Sequence, residues 1–269
     1  MISLLKADLY RILKSKLTYV ALVVVAVFPV VMALLYYILN LAINGMIDAD
    51  ESQELMLAGG LINGRTLLAS VYSITQNAGL VVVIFGTIFI SMDVSNGTLR
   101  NKVIVGHKRS SVYLSHFLAT TIFNVVMMTI NALMTLLCAN TILKYGVKLD
   151  GEELKFLLEW LLAGTVMFIW IASLTDFFML VFKNVALAII FTLVLGMIIS
   201  LGASLATNLL DKPWGNVVFL IPTMVSTMLI QPGSNITWLQ FLYNMLSYAL
   251  LICLNCVLGI YLFKKHDIK

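Results

Sequence analysis

Charged side chains are scarce in this sequence, and their placement limits the chemistry it can do. Asp176 is the one carboxylate set inside an apolar run, between Trp160 and Phe182. An ionisable group in such a run takes a proton, holds an ion or pairs with a base. Lys183 follows seven residues later, roughly 10 Å along a helix. Asp176 is therefore expected near a membrane edge, flanked by Ser173 and Thr175 and paired with a basic side chain. Cys253 and Cys256 form a C-x-x-C on one helical face, with no second pair and no histidine beside them. They read as small buried hydrophobes rather than metal or redox ligands. The histidines His107, His116 and His266 are scattered, no H-E-x-x-H occurs, and Glu152 and Glu153 fall in a polar loop. There is no G-x-x-x-x-G-K-[ST], so the chain has no phosphate-cradling P-loop of its own. The sequence reads as that of a non-enzyme that binds no metal and no cofactor. The remaining candidates are amides: Gln76 and Asn77 in one apolar run, Asn124 and Asn131 in the next. Asn124 and Asn131 are two turns apart and share a helix face. Such groups either hydrogen-bond between helices or line a translocation path.

The elements that position these residues follow from composition. Of 269 residues, 61% are hydrophobic and 11% charged, where a soluble domain is about a quarter charged; mean hydropathy is +1.01. The class is an all-α polytopic membrane protein, a single transmembrane domain over 1–269. Residues 1–16 have apolar positions Ile2, Leu5, Leu9, Ile12 and Leu13 at helical spacing with Lys6, Arg11, Lys14 and Lys16 alongside, the pattern of an interfacial amphipathic helix. Six spans are predicted, at about 17–43, 67–90, 112–143, 160–182, 185–208 and 236–263. The first is charge-free and longer than the ~20 residues a crossing takes, with Pro29 in its interior. Residues 209–235 contain a short apolar run punctuated by Pro213, Pro222 and Pro232. That run reads as a re-entrant extracellular segment before the last span.

This topology places twelve of the 17 lysines and arginines inside and most of the 13 carboxylates outside, as the positive-inside rule requires. Both termini are then cytoplasmic. The basic residues line the membrane edge, so nucleic acid is not an expected partner; membrane lipid is.

The connector after the second span is more than a basic loop. It carries Arg100, Lys102, Lys108 and Arg109 against Asp93. Asn96 is placed to cap a short helix over 97–105, and Gly106 to end it. Leu99, Val103 and, one step round, Ile104 and Val105 form an apolar edge, with Arg100 and Lys102 off it. A short two-faced helix at the inner surface lies on lipid or docks into a soluble partner.

The run D-V-S-N-G-T-L-R-N-K (93–102), followed by G-H-K-R-S (106–110), resembles the connector of ABC-2 type transporter permeases. The tail F-K-K-H-D-I-K (263–269) resembles the ending of that family. Asp93 stands where the family usually has Glu. The likeness is nearest the bacitracin- and lantibiotic-exporter group of Gram-positive bacteria. It implies a permease subunit in the plasma membrane, pairing with an identical or different second permease and with two separate ATPase subunits that bind ATP and Mg. Residues 97–105 would be the coupling helix, with Asp93, Gly97, Thr98, Leu99, Arg100, Lys102 and Val103 at the ATPase contact. Leu99 and Val103 would anchor in the ATPase cleft while Arg100 and Lys102 meet its acidic rim. The cargo would be an exported peptide, antibiotic or amphipathic molecule. The alternatives are an ion-gradient-driven secondary transporter, suggested by Asp176 and the span amides, and a non-transporting immunity or assembly factor.

Overall fold

A computed structural model describes residues 2–44, 67–68, 71, 77–144, 151–210, 215–230 and 236–265. All regular structure among them is helical. The helices are α1 (Ile2–Lys14), α2 (Lys16–Asn44), α3 (Asn77–Ser95), α4 (Thr98–Ile104), α5 (Arg109–Thr141), α6 (Gly151–Phe182), α7 (Val185–Ala206), α8 (Met224–Ile230) and α9 (Trp238–Lys265). Short 3-10 turns occupy Thr207–Leu209 and Gly215–Leu220. In a membrane every backbone polar group must be satisfied within the chain, and helices do this segment by segment.

Five described helices are long and apolar enough to cross a membrane: α2, α5, α6, α7 and α9. A sixth is counted only if α3 and α4 are taken together as one pair bent by 48°. Because α4 carries Arg100 and Lys102, we read that bend as the point where the chain leaves the apolar layer. The protein is thus a multi-pass membrane protein. The acidic segment before the second span and residue Gln76 lie outside the described residues, as does the side chain of Asn77.

The bundle is organised around α6. Of its membrane window 56% is buried, against 17% for α2 and for α7. Trp170, Phe168, Met167 and Ile171 form its centre, and Trp170 packs on Tyr248 of α9 with ring centroids 5.7 Å apart. The outer faces of α2, α7 and α9 leave large apolar side chains such as Val27, Met197 and Leu250 exposed, the surface expected against lipid. The sequence places the fourth span at 160–182. The structure has one continuous helix, α6, with Lys155 and Glu159 3.7 Å apart one turn from each other. No proline or glycine interrupts its sequence between Gly151 and Ala163.

Leu4, Leu99, Val112, Tyr113 and Phe263 share one apolar cluster. The beginning of α1, the short helix α4 and the end of α9 therefore meet at one end of the bundle, called the near end below. There Arg109 Nη1 also donates to the Lys264 carbonyl at 2.8 Å. Gly259 of α9 permits the approach of α5. A Cβ at that position would lie 2.3 Å from Tyr113 Oη, so no larger residue fits without movement.

At the far end, residues 215–223 fold back against α9. Asn244 Nδ2 donates to the carbonyls of Phe219 and Ile221, at 3.1 and 3.0 Å. Ser247 Oγ donates to Leu220 O at 2.6 Å, and Tyr248 Oη accepts from Thr223 N at 2.9 Å. Met224 and Val225 then enter the core. Each of these helices has seven residues or fewer, about 10 Å of length, too short to cross.

Two of the span amides have defined places. Asn131 Nδ2 donates to the carbonyl of Val25 in α2 at 3.1 Å. Val25 is four residues before Pro29, which lies inside α2 and has no N–H to offer it. Asn131 therefore supplies the hydrogen bond that Pro29 withholds. Asn124 faces Gly86 of α3, close to Thr175 of α6, and its buried amide finds no partner among the described residues.

Candidate functional site

The near end gathers the charged side chains. It begins with α4, whose first turn follows Gly97 at φ 65, a left-handed conformation that costs glycine little and other residues more. Gly97 occupies the N-cap position and no side chain caps it, so Asn96 does not take the capping role that the sequence suggested. The helix runs over Thr98–Ile104, one residue shorter at each end than the expected 97–105. Its exit is closed by Gly106 N to Val103 O at 3.0 Å and His107 N to Lys102 O at 3.3 Å, with Gly106 at φ 99. This is the paired arrangement by which a glycine ends a helix.

The orientation of α4 reverses an expectation. Leu99 is 5% exposed and packs with Leu4, Val112 and Phe263, and Val103 packs against the same cluster. Leu99 is thus enclosed by the bundle and Val103 is partly covered by it. The outward side carries Arg100, Ile104 and Val105, the last two 69% and 77% exposed. Lys102 also departs from its expected place: it turns inward and pairs with Asp8.

That pair belongs to a network drawn from α1, α3, α4 and α5. Asp8 and Asp93 are each 1% exposed. Asp8 accepts from Lys102 Nζ and from Ser115 Oγ, the latter at 2.7 Å, and Arg11 Nη2 stands 3.7 Å away. Arg11 reaches Asp93 with both guanidinium nitrogens, one to each carboxylate oxygen. His116 Nε2 lies 3.5 Å from Asp93. Two carboxylates thus alternate with two cations, which is the condition for keeping charge in a low-dielectric place. Burial lowers the Arg11 pKa from its ordinary value, and the adjacent Asp8 carboxylate opposes that drop. A guanidinium stays charged under all protein conditions, so the pairing persists across physiological pH.

Sequence reading took Asp93 as part of the partner contact; it is buried and satisfied internally. It passed over Asp8, Arg11, Ser115 and His116 as site residues. A signal was present for Asp8, an acid in a basic segment, four residues from both Leu4 and Ile12, which are buried with it on one face of α1. Of the predicted apolar stripe of α1, Ile12 is buried, whereas Ile2 and Leu13 are exposed.

One turn deeper, Leu99, Tyr113, His116 and Asp176 line a small cavity. Asp176 is 2% exposed. Its oxygens lie 3.4 and 3.3 Å from Thr120 Oγ1, and among the described residues no basic side chain pairs with it. The expected basic partner is not found among the described residues, and Lys102 is engaged by Asp8 instead. The Tyr113 hydroxyl and both His116 nitrogens have no hydrogen-bond partner there. Nearby, Asn255 Nδ2 donates to Ser173 Oγ at 3.0 Å and joins α9 to α6. Among the described residues no cluster of His, Cys, Asp or Glu is arranged to hold a metal.

Among the described residues the near end provides a short helix clamped on one side, exposed on the other and joined to membrane-crossing helices. No curated protein matches the chain. The family described as ABC-2 family transporter protein matches it over residues 4–199, from α1 into α7. That stretch is well over half the chain and includes the whole charged network, and the protein accordingly belongs to the ABC-2 transporter family, as a multi-pass membrane permease.

Proposed function

We propose that this chain is the transmembrane subunit of an ATP-binding cassette exporter, with α4 as the helix on which a separate ATPase subunit acts. The observation that carries the reading is the two-sidedness of α4: Leu99, Lys102 and Val103 are held by the bundle, while Arg100, Ile104 and Val105 stand free of it. An apolar pair beside one cation suits a partner cleft with an apolar floor and an acidic rim. This moves the contact one face round the helix from Leu99 and Val103. Gly97 and Thr98 set the start of α4 rather than touching the partner.

In this reading the near end is cytoplasmic. ATP and Mg are bound by the ATPases, two per complex, and a second permease copy or homologue completes the path. The cargo class is an exported peptide, antibiotic or amphipathic molecule, and the site of action is the plasma membrane of a Gram-positive bacterium. The resemblance of the 93–102 connector and the 263–269 tail to such permeases supports these particulars. Movement delivered at α4 passes into the bundle through Leu99 and the charged network.

The test is co-expression with a candidate ATPase. Ile104→Asp with Val105→Asp should abolish co-purification of the ATPase and reduce ATP-dependent export to background. Undiminished complex formation would reject α4 as the contact. A second reading, transport driven by an ion gradient, has one observation in its favour: Asp176 is buried without a basic partner. Export that continues with the ATPase absent and collapses with the ion gradient would establish it instead.

A further inference from the structure

Asp8 and Arg11 are one helical turn apart on α1, yet they pair with different elements. Asp8 takes Lys102 of α4, and Arg11 takes Asp93 of α3. Between Asp93 and Lys102 the chain bends by 48° and passes through Gly97 in a left-handed conformation. Glycine leaves such a joint conformationally permissive. Leu4, one turn before Asp8, adds an apolar contact in the same cluster as Leu99. The two acids are almost fully buried, so their ends of these bonds are shielded from water and salt, while the Arg11 side chain stays partly exposed.

From this juxtaposition we infer that α1 is a clasp across the α3–α4 bend, with Asp8 and Arg11 as the positioning residues that hold the second span and α4 at a fixed angle. The alternation of charge explains why both pairs are needed. Each α1 charge satisfies a partner on one side of the joint, and neither pair alone spans it. Ser115 anchors the clasp to α5 by donating to Asp8, so α5 is the base on which the joint is set.

The inference deepens the coupling role proposed for α4, since a floppy joint would absorb a push at α4 rather than pass it to α3. Its geometric content is independent of that role and can be tested on the purified chain alone. Spin labels at Leu80→Cys and Val105→Cys lie on either side of the bend, at exposed positions. They would be placed in a background with Cys138, Cys253 and Cys256 replaced by alanine. Double electron–electron resonance in lipid nanodiscs should give a narrow distance distribution. Asp8→Asn with Lys102→Met removes both members of one pair, leaves neither of the two charges orphaned, and should broaden the distribution. Lys102→Arg keeps the charge and should retain the narrow form. An unchanged distribution in the neutral double variant, or equal broadening in Lys102→Arg, would overturn the clasp. Loss of ATPase binding in the Ile104 and Val105 variants bears only on the docking role, so the two proposals can fail separately.

Discussion

The two ends of the bundle are held by different chemistry. The near end is held by full charges, Asp8, Arg11, Asp93 and Lys102, each on an element distinct from its partner's. Among the described residues of the far end the contacts are made by neutral groups: Asn244, Ser247 and Tyr248 of α9 meet the backbone of residues 219–223. A side-chain bond to a backbone carbonyl fixes one local geometry and is lost when that geometry shifts. Charge pairs instead draw separate elements together: Arg11 grips Asp93 with two nitrogens and Asp8 takes Lys102, one on each side of the α3–α4 bend. Residues 215–223 are therefore held locally against α9, and the near end is held across α1, α3, α4 and α5. This suits the role proposed for α4, in which the input arrives at the near end.

The contrast is sharpened most by removing one charge. Arg11→Met leaves Asp93 buried with only His116 nearby, and loss of one member of a buried pair costs about 3–5 kcal/mol. A steep fall in thermal stability is expected in detergent, largely relieved by adding Asp93→Leu. Failure of that second change to restore stability would show that the near end does not depend on charge balance. At the far end, Asn244→Ala strips donors from two carbonyls, and an unsatisfied buried group costs about 1–3 kcal/mol. The same melting experiment should show a smaller fall, with protease sensitivity rising at residues 215–223 and not near α4. The smallest effect is expected between the two ends. Asn131→Leu should cost about 1 kcal/mol, because the Val25 carbonyl loses its donor. In a Pro29→Ala background, where residue 29 regains an N–H, the same change should be close to neutral. Equal costs in both backgrounds would break the link between Asn131 and Pro29.

Much of the architecture was legible in the sequence because membrane crossing is a local, compositional demand. The charge-free runs set the helices, and Gly106 marked the end of α4. The site was less legible. In a helix as short as α4, apolar residues occur on both sides, Leu99 and Val103 on one and Ile104 and Val105 on the other. Periodicity cannot say which side is buried when the helix makes barely two turns. Lys102 looked like a rim charge because its partner, Asp8, is 94 positions away. Asn131 left two readings open, an inter-helix bond or a path-lining amide, because its acceptor, made available by a proline 102 positions earlier, belongs to another helix. The short 215–220 turn and α8 were suggested by their prolines, but nothing local indicated that Asn244 and Ser247 would hold them.

The sequence by itself determined that this protein lies in a membrane, that its crossings are helical, and that a short two-faced helix follows the second span. Those properties depend on hydropathy, length and turn residues, which act within a few positions of one another. Only the tertiary structure decided which face of α4 is free, which bases satisfy which acids, and that α1 bridges the bend. Pairing of charges across a bundle depends on the packing of several helices at once, and no single segment encodes it.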